Sequence, residues 1–104
     1  MLDAAREAVA SARARTRANL ERERIWALGL VKCIEIIGEA AARVSVDTRN
    51  QYPQIPWAQI VGMRNRLVHV YFDLDLDQVW SAVTEDLPPL VSELESILRG
   101  EAEN

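Results

Sequence analysis

Ile25-Trp26-Ala27-Leu28-Gly29-Leu30-Val31-Lys32-Cys33-Ile34-Glu35-Ile36-Ile37-Gly38-Glu39-Ala40-Ala41-Ala42 is the stretch that decides the fold. Trp26, Leu30, Cys33, Ile37, Ala40 and Val44 recur at spacings of four and three, as residues on one helical face do. A second apolar set, Ile25, Leu28, Val31, Ile34 and Ala41, runs beside the first. Lys32, Glu35, Glu39 and Arg43 leave only a narrow polar strip. The spacing predicts a helix over 20–44 that is buried on more than one side. A chain of 104 residues struggles to surround one helix completely. Part of this surface is therefore expected to be a homodimer interface. Lys32, Glu35 and Glu39 also make the run a poor membrane span.

Outward from that helix, the chain reads as further helices. Residues 2–18 are Ala-rich, with Leu2, Ala5, Val9 and Ala12 on one side and Arg6, Arg13 and Arg17 on another. This apolar face is weak and needs a partner helix. Residues 45–56 are the main irregular connection, with one short helical turn near Asp47–Asn50 and Pro56 suited to the first turn of a third helix. That third helix runs from Trp57 to about His69, with Ile60, Met63, Leu67 and Val68 facing inward. Asp75 or Asp77 caps a last helix carrying Leu76, Val79, Trp80, Val83, Leu87, Leu90, Val91, Leu94 and Leu98. Pro88-Pro89 is expected to kink or split it near Asp86, and Gly100 to end it. Strand-like alternation and internal repeats are both lacking. The expectation is an all-α single domain over 1–104, with 99–104 as a polar tail.

The bulk numbers agree with a globular protein. Nearly half the residues are hydrophobic, 49%, and only four Gly and four Pro interrupt them. The lone Cys33 has no partner for an internal disulfide and sits in an apolar run, so a reducing cytoplasm is the expected setting. Met1-Leu2-Asp3 does not begin a cationic-then-apolar signal segment. The net charge of −4 is unevenly spread: residues 73–104 hold one Arg against nine acids, while the two preceding segments, 1–24 and 25–72, are each at +2. A polyanion meets the first two-thirds of the chain more readily than the last third. Tight nonspecific binding to duplex DNA is not expected.

Chemistry concentrates in Gly62-Met63-Arg64-Asn65-Arg66-Leu67-Val68-His69-Val70-Tyr71-Phe72, which holds the only histidine of the chain. An arginine neutralises a phosphate with fixed geometry, and a histidine moves a proton near neutral pH. Together they suggest work on a phosphodiester. Cleaving RNA without a metal needs both a base and an acid, and one chain supplies one imidazole. Spacing leaves the partner of His69 open. On an ideal helix Arg64 lies about 140° from His69 and Arg66 only about 60° away. Arg64 can curl toward the histidine, or the helix can end between them. A histidine near a helix end also commonly serves as a structural hydrogen-bonder or dipole partner.

Arg64-Asn65-(three residues)-His69-Val70-Tyr71 resembles the Arg-x4-His-x-Tyr motif of the HepT toxins, members of the HEPN superfamily of all-α ribonuclease domains. Three further blocks carry the likeness: Cys33-Ile34-Glu35-Ile36-Ile37-Gly38-Glu39-Ala40-Ala41, Ile55-Pro56-Trp57 leading into Ile60-Val61-Gly62-Met63, and Val79-Trp80 with Glu85-Asp86-Leu87-Pro88-Pro89-Leu90. The resemblance covers about residues 20–98, and the first helix is its least matched part. It implies an up-and-down four- or five-helix bundle, HEPN-like, forming a symmetric homodimer with the two motifs facing each other. Two copies of His69 would then supply base and acid. The implied activity is a metal-independent endoribonuclease without cofactor, with Arg64 stabilising the phosphorane and Asn65 orienting Arg64 or the phosphate. It also implies a type VII toxin–antitoxin pair, in which a MntA-type nucleotidyltransferase antitoxin transfers AMP to Tyr71. The alternative is a non-catalytic helical binding or regulatory partner of a nucleotidyltransferase, or a purely structural dimerisation domain.

Other residues have plainer readings. Asp73, Asp75 and Asp77 lack calcium-loop spacing and are expected to cap and solvate. Glu35 and Glu39 are expected to belong to the polar strip or to pair with Lys32 and Arg43. Trp26, Trp57 and Trp80 are expected in the core rather than stacked on bases, and Gly38 at a close helix crossing.

Overall fold

The computed structural model describes residues 1–68 and 73–103, with side-chain surroundings through residue 100. Its helices are α1 (Leu2–Ala12), α2 (Arg17–Arg22), α3 (Arg24–Ala42), α4 (Val46–Gln51), α5 (Trp57–Leu67), α6 (Leu76–Ser81) and α7 (Leu87–Glu103), with a π-helical turn over Ala82–Asp86 joining the last two. Among the described residues the one extended pairing is an isolated bridge between Val68 and Leu74. The molecule is an all-α, up-and-down bundle: α3 packs on α5 and α1, and α1 on α7. It is a slab, with extents of 46 × 29 × 17 Å.

The first predicted helix is broken. α1 stops at Ala12, and Thr16 adopts an extended conformation (φ −117°, ψ 169°) to start α2. The Thr16 N–H donates to the Asn19 Oδ1 at 2.7 Å, satisfying a donor that a continuous helix would have used internally. Arg15 fixes the turn: its guanidinium donates to the Ser11 carbonyl at 2.6 Å, pairs with Glu23 at 3.4 Å and lies 4.7 Å from the centre of the Trp26 ring.

On α3 the buried face lies between the two expected stripes. Leu30 and Ile37 from one and Val31, Ile34 and Ala41 from the other are buried, with Ala27 and Gly38. Trp26, Cys33 and Ala40 are only half-buried or exposed, and Ile25 is 83% exposed. The reason is geometric. Helices α1 and α5 both pack on α3, and the residues between the stripes are the ones they cover. Trp26 keeps its indole N–H on the Ser11 Oγ at 2.9 Å, and Trp57 donates to the Tyr52 carbonyl at 3.1 Å, so both sit at the core edge with their polar ends satisfied. At Gly38 a Cβ would lie 3.4 Å from the Ile60 carbonyl oxygen, so the small residue permits the α3–α5 crossing.

The connection after α3 is built by caps. Arg49 donates to the Ala41 and Val44 carbonyls at 2.8 and 3.2 Å, closing the exposed end of α3. Ser45 accepts from the Thr48 N–H at 3.1 Å and starts α4. Pro56 is the N-cap of α5 rather than part of its first turn. Ile60, Met63 and Leu67 face inward as expected. Helix α5 ends at Leu67, short of the expected His69, because Val68 turns extended (φ −124°, ψ 124°) and pairs with Leu74. The Leu67 carbonyl then accepts the Asp75 N–H at 2.8 Å. Asp75 caps α6 by accepting from the Gln78 N–H at 3.1 Å.

The last helix splits where the prolines require it. Pro88 and Pro89 have no N–H to donate one turn back. The chain widens into the π turn just before them, and the Leu87 N–H reaches the Ala82 carbonyl. Gly100 does not stop α7, which continues to Glu103. A glycine inside a helix costs only about 1 kcal/mol relative to alanine, too little to break it.

Candidate functional site

Arg64 lies in the last turn of α5, where the helix faces α3. Its Nε donates to the Oε1 of Glu35, which projects from the middle of α3. The other oxygen of Glu35 lies 3.9 Å from the Lys32 Nζ. Glu35 is largely sheltered, with a side chain 25% exposed, while the Arg64 side chain is 42% exposed. The arginine is thus held by one edge. Its two Nη groups make no hydrogen bond to any described residue.

Two open clefts share this ion pair as a wall. One, of about 430 Å³, lies between α3 and α5 and is lined by Glu35, Gly38, Glu39, Val61, Arg64 and Asn65, with Ile34 and Ala42. The other, of about 270 Å³, is lined by Lys32, Glu35 and Arg64 with Leu28, Val31, Val68 and Leu74. Asn65 is exposed and lines the first cleft beside Arg64. His69 and Tyr71 lie outside the described residues. Val68, the residue before His69, and Leu74 line the second cleft together with Arg64.

Arg66 belongs to a different surface. Its guanidinium lies 3.8 Å from the Asp86 carboxylate and lines a separate cavity of about 300 Å³ against Glu85, Asp86 and Glu93. Two residues apart on a helix is about 200°, so the two arginines face opposite sides of α5. The helical-wheel preference for Arg66 assumes a helix continuing to His69. The end at Leu67 removes that assumption.

Glu35 is the site residue that the pattern of the sequence does not single out. It does approach Lys32 as expected, but its hydrogen bond goes to Arg64. The available signal is one carboxylate inside the apolar run Cys33–Ile37, a costly placement without a partner. Of the aspartates, Asp75 caps α6 as expected, while Asp77 instead accepts from Arg17 at 2.8 Å, which raises the arginine pKa. Cys33 is half-buried, and burial, with the Glu7 carboxylate adding to it, pushes its thiol pKa up. No helix among the described residues is long and apolar enough to cross a membrane.

Comparisons with known proteins place nearly the whole chain in a family. A family model described as Ribonuclease HepT-like matches residues 1–97. A Methanocaldococcus jannaschii protein named as a candidate RNase is 39% identical over 70 residues, 67% of this chain and 58% of that protein. A protein of Thermococcus cleftensis named as a probable ribonuclease HepT is 37% identical over 68 residues, 65% of this chain and 62% of that one. A further candidate RNase, from Caldanaerobacter subterraneus subsp. tengcongensis, is 34% identical over 71 residues, 68% of this chain and 63% of its own length. The chain therefore spans about three-fifths of the length of these relatives. No solved structure matches it. With a family model spanning nearly the whole chain and an all-α bundle that is compatible with it, the chain belongs to the HepT-like ribonuclease family.

Proposed function

We propose that this protein is a metal-independent endoribonuclease of the toxin kind, acting from a composite site in a homodimer. The observation that carries the reading is Arg64: it is anchored to Glu35 through Nε and lines a cleft whose wall includes Val68, the residue before His69. A guanidinium held in this way is preorganised for the equatorial oxygens of a phosphorane. In the reaction, His69 of one copy removes the 2′-OH proton and the ribose oxygen attacks phosphorus. The second copy's His69 protonates the departing 5′-oxygen, leaving a 2′,3′-cyclic phosphate. Each proton transfer contributes roughly 10²–10⁴-fold. The exposed ridge of Ile25, Leu28 and Ile36 on α3, 83, 42 and 42% exposed, supports the dimer that supplies the second histidine. Asn65 lines the cleft beside Arg64 without bonding to it, which leaves it to orient the bound phosphate. Tyr71 is the point of control: a MntA-type nucleotidyltransferase antitoxin adds AMP there, and the new phosphodiester blocks RNA and competes for Arg64. The protein works in the cytoplasm, where its RNA and ATP-using partner are found.

Expression in a bacterial host tests this reading. Growth arrest is expected from the native chain and its loss from His69→Ala and Arg64→Ala, with the fold intact by circular dichroism. Co-expression with the nucleotidyltransferase should relieve the arrest and add AMP to the intact mass, except in Tyr71→Phe. Arrest that survives His69→Ala would refute the nuclease. Relief without arrest-linked cleavage of RNA would support the second reading, a non-catalytic regulatory partner. The acidic segment 73–104, with nine acids against one Arg, favours that reading because it repels RNA.

A further inference from the structure

We propose that the cleft between α3 and α5 is a guanine-reading subsite beside the scissile phosphate, with Glu39 as the residue that selects the base. The inference rests on the ribonuclease reading and deepens it. Arg64 forms one wall of the cleft, so a phosphate on its Nη groups places an adjoining nucleotide at the opening. The volume, about 430 Å³, is in the range of small-ligand sites. Ile34, Ala42 and Val61 give an apolar surface for a ring, and Val61 is 40% exposed.

Two polar side chains of the cleft have no partner among the described residues. Glu35 is engaged by Arg64 and Lys32, but Glu39 and Asn65, both exposed, make no hydrogen bond or ion pair with any described residue. Arg64 and Lys32 against Glu35 leave one positive charge beside Glu39, which offsets the repulsion between its carboxylate and an incoming phosphate.

The chemistry of the carboxylate chooses the base. An ionised glutamate only accepts hydrogen bonds, through two adjacent oxygens. Guanine alone presents two neighbouring donors, N1–H and the N2 amino group, on its Watson–Crick edge. Adenine and cytosine set one amino donor beside a ring-nitrogen acceptor, and uracil sets one N–H between two carbonyls. Each of these leaves an acceptor facing the carboxylate, which is costly. The Asn65 amide can donate to guanine O6, completing the edge. Single-stranded RNA exposes these edges, so the site calls for an unpaired guanine.

Mononucleotide binding and cleavage specificity together test the proposal. By calorimetry, guanosine 3′-monophosphate is expected to bind the native protein roughly tenfold or more tightly than the uridine, cytidine and adenosine 3′-monophosphates. Glu39→Gln removes one acceptor oxygen from a surface position and is expected to erase that difference. Oligoribonucleotides with one variable base should be cut beside guanine by the native protein and without preference by Glu39→Gln. Equal binding of the four nucleotides, or a preference that survives Glu39→Gln, overturns the subsite. Cleavage without base preference overturns it while leaving the nuclease standing. Selective binding of guanosine 3′-monophosphate with no RNA cleavage keeps the subsite and removes the nuclease. A Glu39→Gln protein that shifts the monomer–dimer balance in ultracentrifugation but keeps base selection makes Glu39 an interface contact, which also overturns the proposal.

Discussion

Glu35 and Arg64 meet side chain to side chain from two helices, and their geometry decides how the arginine can be used. The bond runs through Nε, so the carboxylate anchors one edge of the fork without occupying its end. Truncating the anchor should let the guanidinium swing. Hydrogen bonds to charged groups contribute about 1.5–3 kcal/mol, so Glu35→Ala is expected to lower kcat/KM roughly 10–100-fold. Glu35→Gln keeps an accepting oxygen and should retain most of the activity, whereas Arg66→Ala, on the opposite side of α5, should leave it near native. Kinetics on a fluorogenic oligoribonucleotide check this series. Native-like rates in Glu35→Ala would mean that Arg64 needs no positioning. Arg64 is singled out in the sequence by the motif it resembles. Its anchor is not, because Glu35 and Arg64 are 29 residues apart and local spacing cannot reveal their meeting.

At the scale of elements, caps and prolines set most boundaries. Thr16, Ser45 and Asp75 each start a helix where a side chain or backbone donor needs a local acceptor. The two prolines produce the π turn over Ala82–Asp86, which re-aims the chain from α6 into α7. Leu87 sits at that junction, fully buried at 0% exposure, while Leu98 farther along α7 is 52% exposed. Leu87→Ala is expected to destabilise the fold by about 2–5 kcal/mol. Leu98→Ala should stay within about 0.5 kcal/mol of native. Urea midpoints compare the two, and equal effects would show that the π junction carries no more of the core than the end of α7. The split near Asp86 is readable from proline chemistry alone. The break after Ala12 is hidden in the sequence, because helix propensity in an Ala- and Arg-rich run conceals a cap a few residues later.

For the whole molecule, thickness matters most. A slab 17 Å deep cannot cover α3 on every side, since one helix with its side chains is about 10 Å across. The excess apolar surface appears as the Ile25, Leu28 and Ile36 ridge. If a second copy covers it, an Ile25→Glu, Ile36→Glu variant will sediment as a monomer under conditions where the native chain is a dimer. Its helical circular dichroism will be unchanged, and it will lose RNA cleavage because each molecule then has one histidine. A native chain that is already monomeric at micromolar concentration would remove the composite site.

The sequence by itself determined the all-α class, the inward faces of α5 and α6–α7 and the surplus of apolar surface on α3. Each comes from periodicity, turn chemistry or residue type, which act over a few positions; the choice of Arg64 over Arg66 came only from the family resemblance. Only the tertiary structure decided which arginine faces the clefts, what holds it, and which part of α3 stays uncovered. Those depend on how α1 and α5 cross α3, and on Val68 ending α5 one residue after Leu67. The crossing is set by packing between residues far apart in the chain, and no local pattern encodes it.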